Sequence, residues 1–194
     1  MPLIYVFHIA FYLLFLLRLA GGDDAPPGPA APAPDAPAPA VPHPVRLVLL
    51  HSAAFAVLYF GLGQAVLSRR PTRLLFAPYP ILGAAIIVAA GGLLAWALLV
   101  FRSWRLLARI ERGHQLCTTG PFRLVRHPIY LAFDLLALGT FVWVPTWIIL
   151  VGTILTVAAG DLRARGEERL LCEVFGDEYR QYQARVPRTI PGLY

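Results

Sequence analysis

The sequence predicts an all-α, multi-span integral membrane protein with about five transmembrane helices, a C-terminal helical hairpin and a cytosolic extension. Three observations carry this prediction. Hydrophobic residues make up 58% of the 194 residues, and the mean hydropathy of +0.63 exceeds that of an ordinary soluble domain. Several apolar runs approach the roughly 20 residues that cross a bilayer as helix. Proline- and arginine-rich stretches separate those runs.

Residues 1–20 hold the first span, at about 3–19. No basic region precedes it and Arg18 follows it, which predicts a retained span rather than a cleaved signal peptide. Arg18 is placed to snorkel to the headgroups. His8, inside the span, reads as a tolerated interior polar group. Residues 21–44 contain nine prolines and predict an extended, polyproline-like linker with no core of its own.

Residues 45–112 form spans two (45–67) and three (79–101) with an interfacial helix. The third span carries Gly83, Ala84, Ala89, Ala90, Gly91 and Gly92, small residues that let helices approach closely. Arg102, Arg105, Arg109 and Arg112 then recur at helical spacing. That pattern predicts a helix lying at the membrane surface, and a solvated helix end fits it as well.

Residues 113–194 form the C-terminal region, with spans four and five. Span four runs over 128–144, about 24 Å of helix and short for a core of about 30 Å. Pro145 turns the chain, and span five starts at Thr146. It is apolar to Ala159 and continues with helical periodicity to Phe175, where Gly176 is a stop. The two spans make a tight hairpin whose second helix projects into the cytosol.

The net charge is +6 and all 17 basic residues are arginine. In a membrane protein this balance places basic loops on the cytosolic side, against anionic lipid. The larger cluster, Arg102 to Arg126, sets the N-terminus outside and the C-terminus inside, leaving Arg69, Arg70 and Arg73 outside against the rule. The reading is a multi-pass protein of the cell (inner) membrane with its larger basic cluster and C-terminus on the cytosolic side. No nucleic-acid recognition module is present, so no nucleic-acid partner is expected. Cys117 and Cys172 have no metal-ligand spacing around them, so neither a metal nor a disulfide framework is expected.

Two clusters carry chemistry. In GPFRLVRHPIYLAFDLL, residues 120–136, His127 precedes a proline and so sits near the N-cap of span four. The helix N-terminus with Arg123 and Arg126 attracts an anion. A positive-inside anchor with a capping histidine explains the same residues. In DLRARGEERLLCEVFGDEY, residues 161–179, Arg163 and Glu167 share a helix face, as do Asp161 and Arg165. The hairpin brings the clusters together around a cytosolic pocket with an apolar floor. Asp134, inside span four, reads as a buried polar brace, bonded to Tyr130 or paired with an arginine, or as a functional group.

GPFRLVRHPIYLA, the EE pair and FGDEYRQYQARVPRTIP resemble the C-terminal half of the isoprenylcysteine carboxyl methyltransferase family, which overlaps the phospholipid methyltransferase-like membrane proteins. The resemblance covers about residues 115–191 and implies that 113–194 is the cofactor-binding catalytic region. It implies S-adenosyl-L-methionine as cofactor, bound from the cytosol without a Rossmann fold, and a lipophilic small-molecule or lipidated acceptor reached from the membrane lipids. It implies cofactor contacts at His127, Pro128, Ile129 and Tyr130, at Phe122 (where the family has a tyrosine), at His114, Gln115, Leu116 and Cys117, and at Glu167 and Glu168. It implies that Arg163 holds the acceptor carboxylate; Arg163 and Glu167 are the expected catalytic residues. Arg126 is placed to meet the cofactor's carboxylate. The expected function is methyl transfer to a lipophilic carboxylate. A phospholipid amine, a small thiol or a non-enzymatic membrane scaffold are the alternatives.

Overall fold

The structure is a computed structural model that describes residues 2–20, 44–68, 75–101 and 116–190. The linker at 21–43, the arginines at 69, 70 and 73, the expected interfacial helix at 102–112, and His114 and Gln115 lie outside the described residues, as does the side chain of Arg18.

Six α-helices and one 3-10 turn make up the described architecture, with no strand among the described residues. They are α1 (Pro2–Ala20), α2 (Pro44–Leu67), α3 (Pro80–Val100), the turn Gly120–Arg123, α4 (Pro128–Trp143), α5 (Trp147–Phe175) and α6 (Asp177–Arg185). Proline opens α3 and α4, where its missing N–H costs nothing because the first turn has no partner for it. Thr146 caps α5, its side chain accepting from the Ile149 N–H, and α5 ends at Gly176 with φ 53°, a conformation glycine adopts without steric cost.

Three helices are long and apolar enough to cross a membrane, Val45–Leu67, Pro80–Val100 and Trp147–Phe175, and two shorter apolar helices accompany them, Leu3–Leu17 and Pro128–Trp143. At 29 residues α5 is about 43 Å long, more than a core of about 30 Å requires. Its apolar part closes at Gly160. Charged residues follow from Asp161 onward.

The bundle pairs α3 with α4 and α2 with α5; α4 lies beside α5, and α1 packs on α3. Glycines set both main crossings. A Cβ on Gly83 would lie 2.7 Å from the Gly139 carbonyl oxygen, and one on Gly152 would lie 2.7 Å from the Leu58 Cα. Of the small residues in α3, Gly83 makes this approach, whereas Gly91 and Gly92 have nothing within 4 Å. The turn between α4 and α5 is tied to the segment before α3: the Leu75 N–H donates to the Pro145 carbonyl at 2.7 Å and the Tyr79 N–H to Val142 at 3.1 Å.

His8 has partners that the sequence did not reveal. Its Nε2 lies 2.9 Å from Thr140 Oγ1 and its Nδ1 2.5 Å from the Tyr59 hydroxyl. Thr140 spends its own proton on the Leu136 carbonyl. Nε2 therefore donates and Nδ1 accepts from Tyr59, one tautomer satisfying all three groups. This bond set pins α1 to α2 and α4 inside an aromatic cluster that includes Phe11, Phe15, Phe55 and Phe133.

Candidate functional site

The site forms where the α4 N-terminus, the last turns of α5, α6 and the C-terminal segment meet. His127 occupies the N-cap of α4, with no hydrogen bond from its side chain to the helix. Its backbone N–H donates to the Arg188 carbonyl at 2.9 Å, and the Arg126 N–H donates to Pro187 at 2.8 Å. The segment after α6 thus lies across the α4 entrance. Tyr182 ties the same region together, its hydroxyl donating to the Phe122 carbonyl at 2.5 Å.

Glu168 is the electrostatic centre. Arg126 donates to its Oε1 from Nε and Nη2, both at 2.8 Å, and His127 Nε2 lies 3.3 Å from the same oxygen. Arg188 donates to Oε2 from Nε at 3.0 Å and from Nη2 at 2.8 Å. Burial pushes the Glu168 carboxyl up. The hydrogen bonds and charges of His127, Arg188 and Arg126 outweigh it and hold the group well below the usual carboxylate range. Arg188 also reaches Asp161 at 3.2 Å, and Asp161 accepts from Arg165 at 2.6 Å. Arg126 donates further to the carbonyls of Gln183 and Val186. Arg126, expected to meet a cofactor carboxylate, is engaged within the chain, and so are both oxygens of Glu168.

Glu167 faces elsewhere. It accepts from the Tyr130 hydroxyl, and its other oxygen lies 3.6 Å from His127 Nδ1. His127 and Tyr130 stack with centroids 5.6 Å apart. Glu167, His127 and Tyr130 form the polar end of a cleft whose other walls include Phe101, Leu116, Ile129 and Leu171. Cys117, Phe122, Arg126 and Pro128 also line it, so the expected cofactor residues within the described chain converge here, apart from Glu168. The cavity volume is about 70 Å³, below the roughly 300 Å³ at which ligand clefts begin. Burial pushes the Cys117 thiol up.

Arg163 is not on the cleft wall. It is 8% exposed, and its guanidinium carbon sits 5.1 Å from the Tyr130 ring centroid, a cation–π contact. Tyr130 thus joins the Glu167 side of the site to Arg163. Asp134 Oδ1 has no hydrogen-bond partner among the described residues, so neither the bond to Tyr130 nor the arginine pair expected for it forms there. It packs toward Gly160, where a Cβ would lie 3.5 Å from Oδ1.

Sequence reasoning left Arg188, Tyr179, Tyr182 and His51 without roles. Tyr179 lines the cleft, is 1% exposed, and its hydroxyl has no partner among the described residues. Burial is the main cause that raises its pKa, so the group offers a hydrogen bond and not a charge. The FGDEY and RVPR strings were the available signals for Tyr179 and Arg188.

A helical membrane bundle with a partly apolar cleft, ringed by buried ion pairs at the end of a short hairpin, is the class that fold and site define. The model of the phospholipid methyltransferase family matches residues 78–178, more than half of the chain, and the chain belongs to that family. It is 36% identical over 82 residues to the protein-S-isoprenylcysteine O-methyltransferase of Schizosaccharomyces pombe, covering 42% of this chain and 35% of the relative. It is 33% identical over 85 residues to protein-S-isoprenylcysteine O-methyltransferase B of Arabidopsis thaliana, 43% of each chain. It is 40% identical over 79 residues to methanethiol S-methyltransferase 1 of Bradyrhizobium diazoefficiens, 36% of this chain and 24% of the relative. The match therefore spans less than half of each of these curated relatives.

Proposed function

We propose that the protein is an S-adenosyl-L-methionine-dependent membrane methyltransferase whose acceptor is a lipophilic carboxylate, with the active site on the cytosolic side of the cell membrane. The observation that carries this reading is the division of labour between adjacent glutamates: Glu168 is consumed by buried ion pairs, while Glu167 faces the cleft beside His127 and Tyr130. Family membership and the relatives' names support the reaction class.

The residues present fit the donor chemically. The carboxylate of Glu167 suits an amine or ribose hydroxyls, and Tyr179 offers an unsatisfied hydroxyl. Phe101, Leu116, Ile129 and Leu171 offer an apolar wall to a base. The cavity admits part of such a molecule. When bound, the donor supplies an electrophilic sulfonium methyl group. Glu167 accepts hydrogen bonds, and His127 and Tyr130 fix its orientation. Arg163, a planar fork that stays charged, holds an anionic acceptor. In-line transfer to a group already ionised needs positioning more than acid–base help, and the site's buried, interlocked charges supply rigidity. The fixed positive charge of Arg163 disfavours a phospholipid amine. A small thiol, ionised, fits the same charge and is the second reading, favoured by the methanethiol-methylating relative.

The deciding measurement is calorimetric titration of S-adenosyl-L-methionine into the detergent-purified protein. Binding by the wild type, lost in Glu167→Ala and His127→Ala, is the expected result. No binding by a well-folded wild type sinks the enzyme reading and puts a membrane scaffold in front.

A further inference from the structure

His51 on α2 is 5% exposed. Its ring stacks on Phe55 at 5.4 Å, meets Phe133 edge-on at 5.7 Å and lies 6.2 Å from the Tyr130 ring. Its Nε2 has no hydrogen-bond partner among the described residues. A buried polar atom without a partner costs free energy that a phenylalanine at this position would not. The cleft residues and the ion-pair network leave this atom unused. The guanidinium carbon of Arg163 lies 5.1 Å from the centroid of the same Tyr130 ring.

We propose that His51 is a second acceptor-binding residue: its Nε2–H and the Arg163 guanidinium together hold the carboxylate of a lipophilic acid. The inference rests on the methyltransferase reading and deepens it. His51 and the permanent cation of Arg163 both border the Tyr130 ring, at 6.2 and 5.1 Å, and an N–H beside a guanidinium suits an anion with two oxygens. Phe55 and Phe133, with Phe11 and Phe15 packed on Phe133 at 5.2 and 5.3 Å, provide the apolar surroundings for its chain. The chemistry balances without a proton transfer. A carboxylate lone pair forms the O–CH3 bond as the sulfonium C–S bond breaks, giving a neutral ester and a neutral thioether. His51 donates a hydrogen bond throughout and is not a base.

The test uses full-length protein in detergent, with no methyl donor, titrated with S-farnesyl-N-acetylcysteine, with its methyl ester, and with dodecanethiol. The wild type should bind the acid more tightly than the ester or the thiol. His51→Phe, which suits the aromatic cluster, should unfold at or above the wild-type temperature yet lose roughly 10-fold or more in affinity for the acid alone. His51→Gln, which restores an N–H donor, should recover most of it. Acid binding by His51→Phe equal to wild type, or His51→Gln weaker than His51→Phe, would overturn the proposal and leave a packing role. Tighter binding of the thiol than of the acid by the wild type would overturn the acceptor class. A parallel titration with S-adenosyl-L-methionine separates the two readings: its failure with His51-dependent acid binding intact removes the methyltransferase, and its success with indifference to His51 removes this inference.

Discussion

Arg188 closes on Glu168 from twenty positions further along the chain, placing Nε at 3.0 Å and Nη2 at 2.8 Å from a single carboxylate oxygen. With Arg126 on the other oxygen at 2.8 Å, one glutamate joins the segment entering α4, α5 itself and the C-terminal segment. The side chains of Glu168 and Arg126 are 6% and 9% exposed, so neither charge has water to fall back on.

Replacing Glu168 with glutamine should therefore destabilise the fold, by about 3–5 kcal/mol if the arginines stay buried without a counter-charge. Glu167→Gln should leave the unfolding temperature near wild type and abolish donor binding. Thermal unfolding and donor titration on the two variants check this; equal stability losses would contradict the division of roles.

Acid should act through the same residue. Glu168 has its pKa depressed in the folded state, so its contribution is present above the unfolded-state pKa and lost as pH falls toward the folded one. The unfolding temperature should hold from pH 7 to about 5 and decline below about pH 4, where an ordinary glutamate titrates. Glu168→Gln should show a shallower decline over that range. A parallel fall in both proteins would assign the acid sensitivity to other groups.

Tyr179→Phe removes a buried hydroxyl that has no partner among the described residues. Stability should be unchanged or slightly higher, because no bond within the described chain is lost. Donor affinity should fall, by about 1 kcal/mol for one hydrogen bond. Titration against unfolding temperature reads the two effects separately; unchanged donor affinity would place the hydroxyl outside the binding site.

The two classes of glycine in α3 should respond differently. Gly83→Ala puts a methyl 2.7 Å from a backbone oxygen of α4 and should separate the helices, lowering the unfolding temperature by several degrees. Gly91→Ala meets open space and should be tolerated. Comparable losses at both positions would argue against the observed α3–α4 crossing.

The membrane-helix pattern, the hairpin around Pro145, the His127 N-cap and the Gly176 stop were legible in the chain, because each depends on residues within one or two turns of one another. Apolar run length, proline's missing N–H and glycine's access to positive φ act locally. The cluster of His127, Tyr130 and Glu167 was also legible, through motif spacing. Roles within it were not. Successive residues on a helix point about 100° apart, so Glu167 and Glu168, adjacent in sequence, serve a cleft and an ion-pair network respectively. Only packing determines which faces which. The same holds for Arg126, drawn inward by Glu168, for His8, whose partners are 51 and 132 positions away, and for His51 on α2, brought beside Tyr130 on α4 by tertiary packing. Long-range contacts depend on crossings such as Gly83 against Gly139 and Gly152 against Leu58, and the depth of a helix–helix contact is a property of two surfaces meeting, which no single stretch of sequence contains.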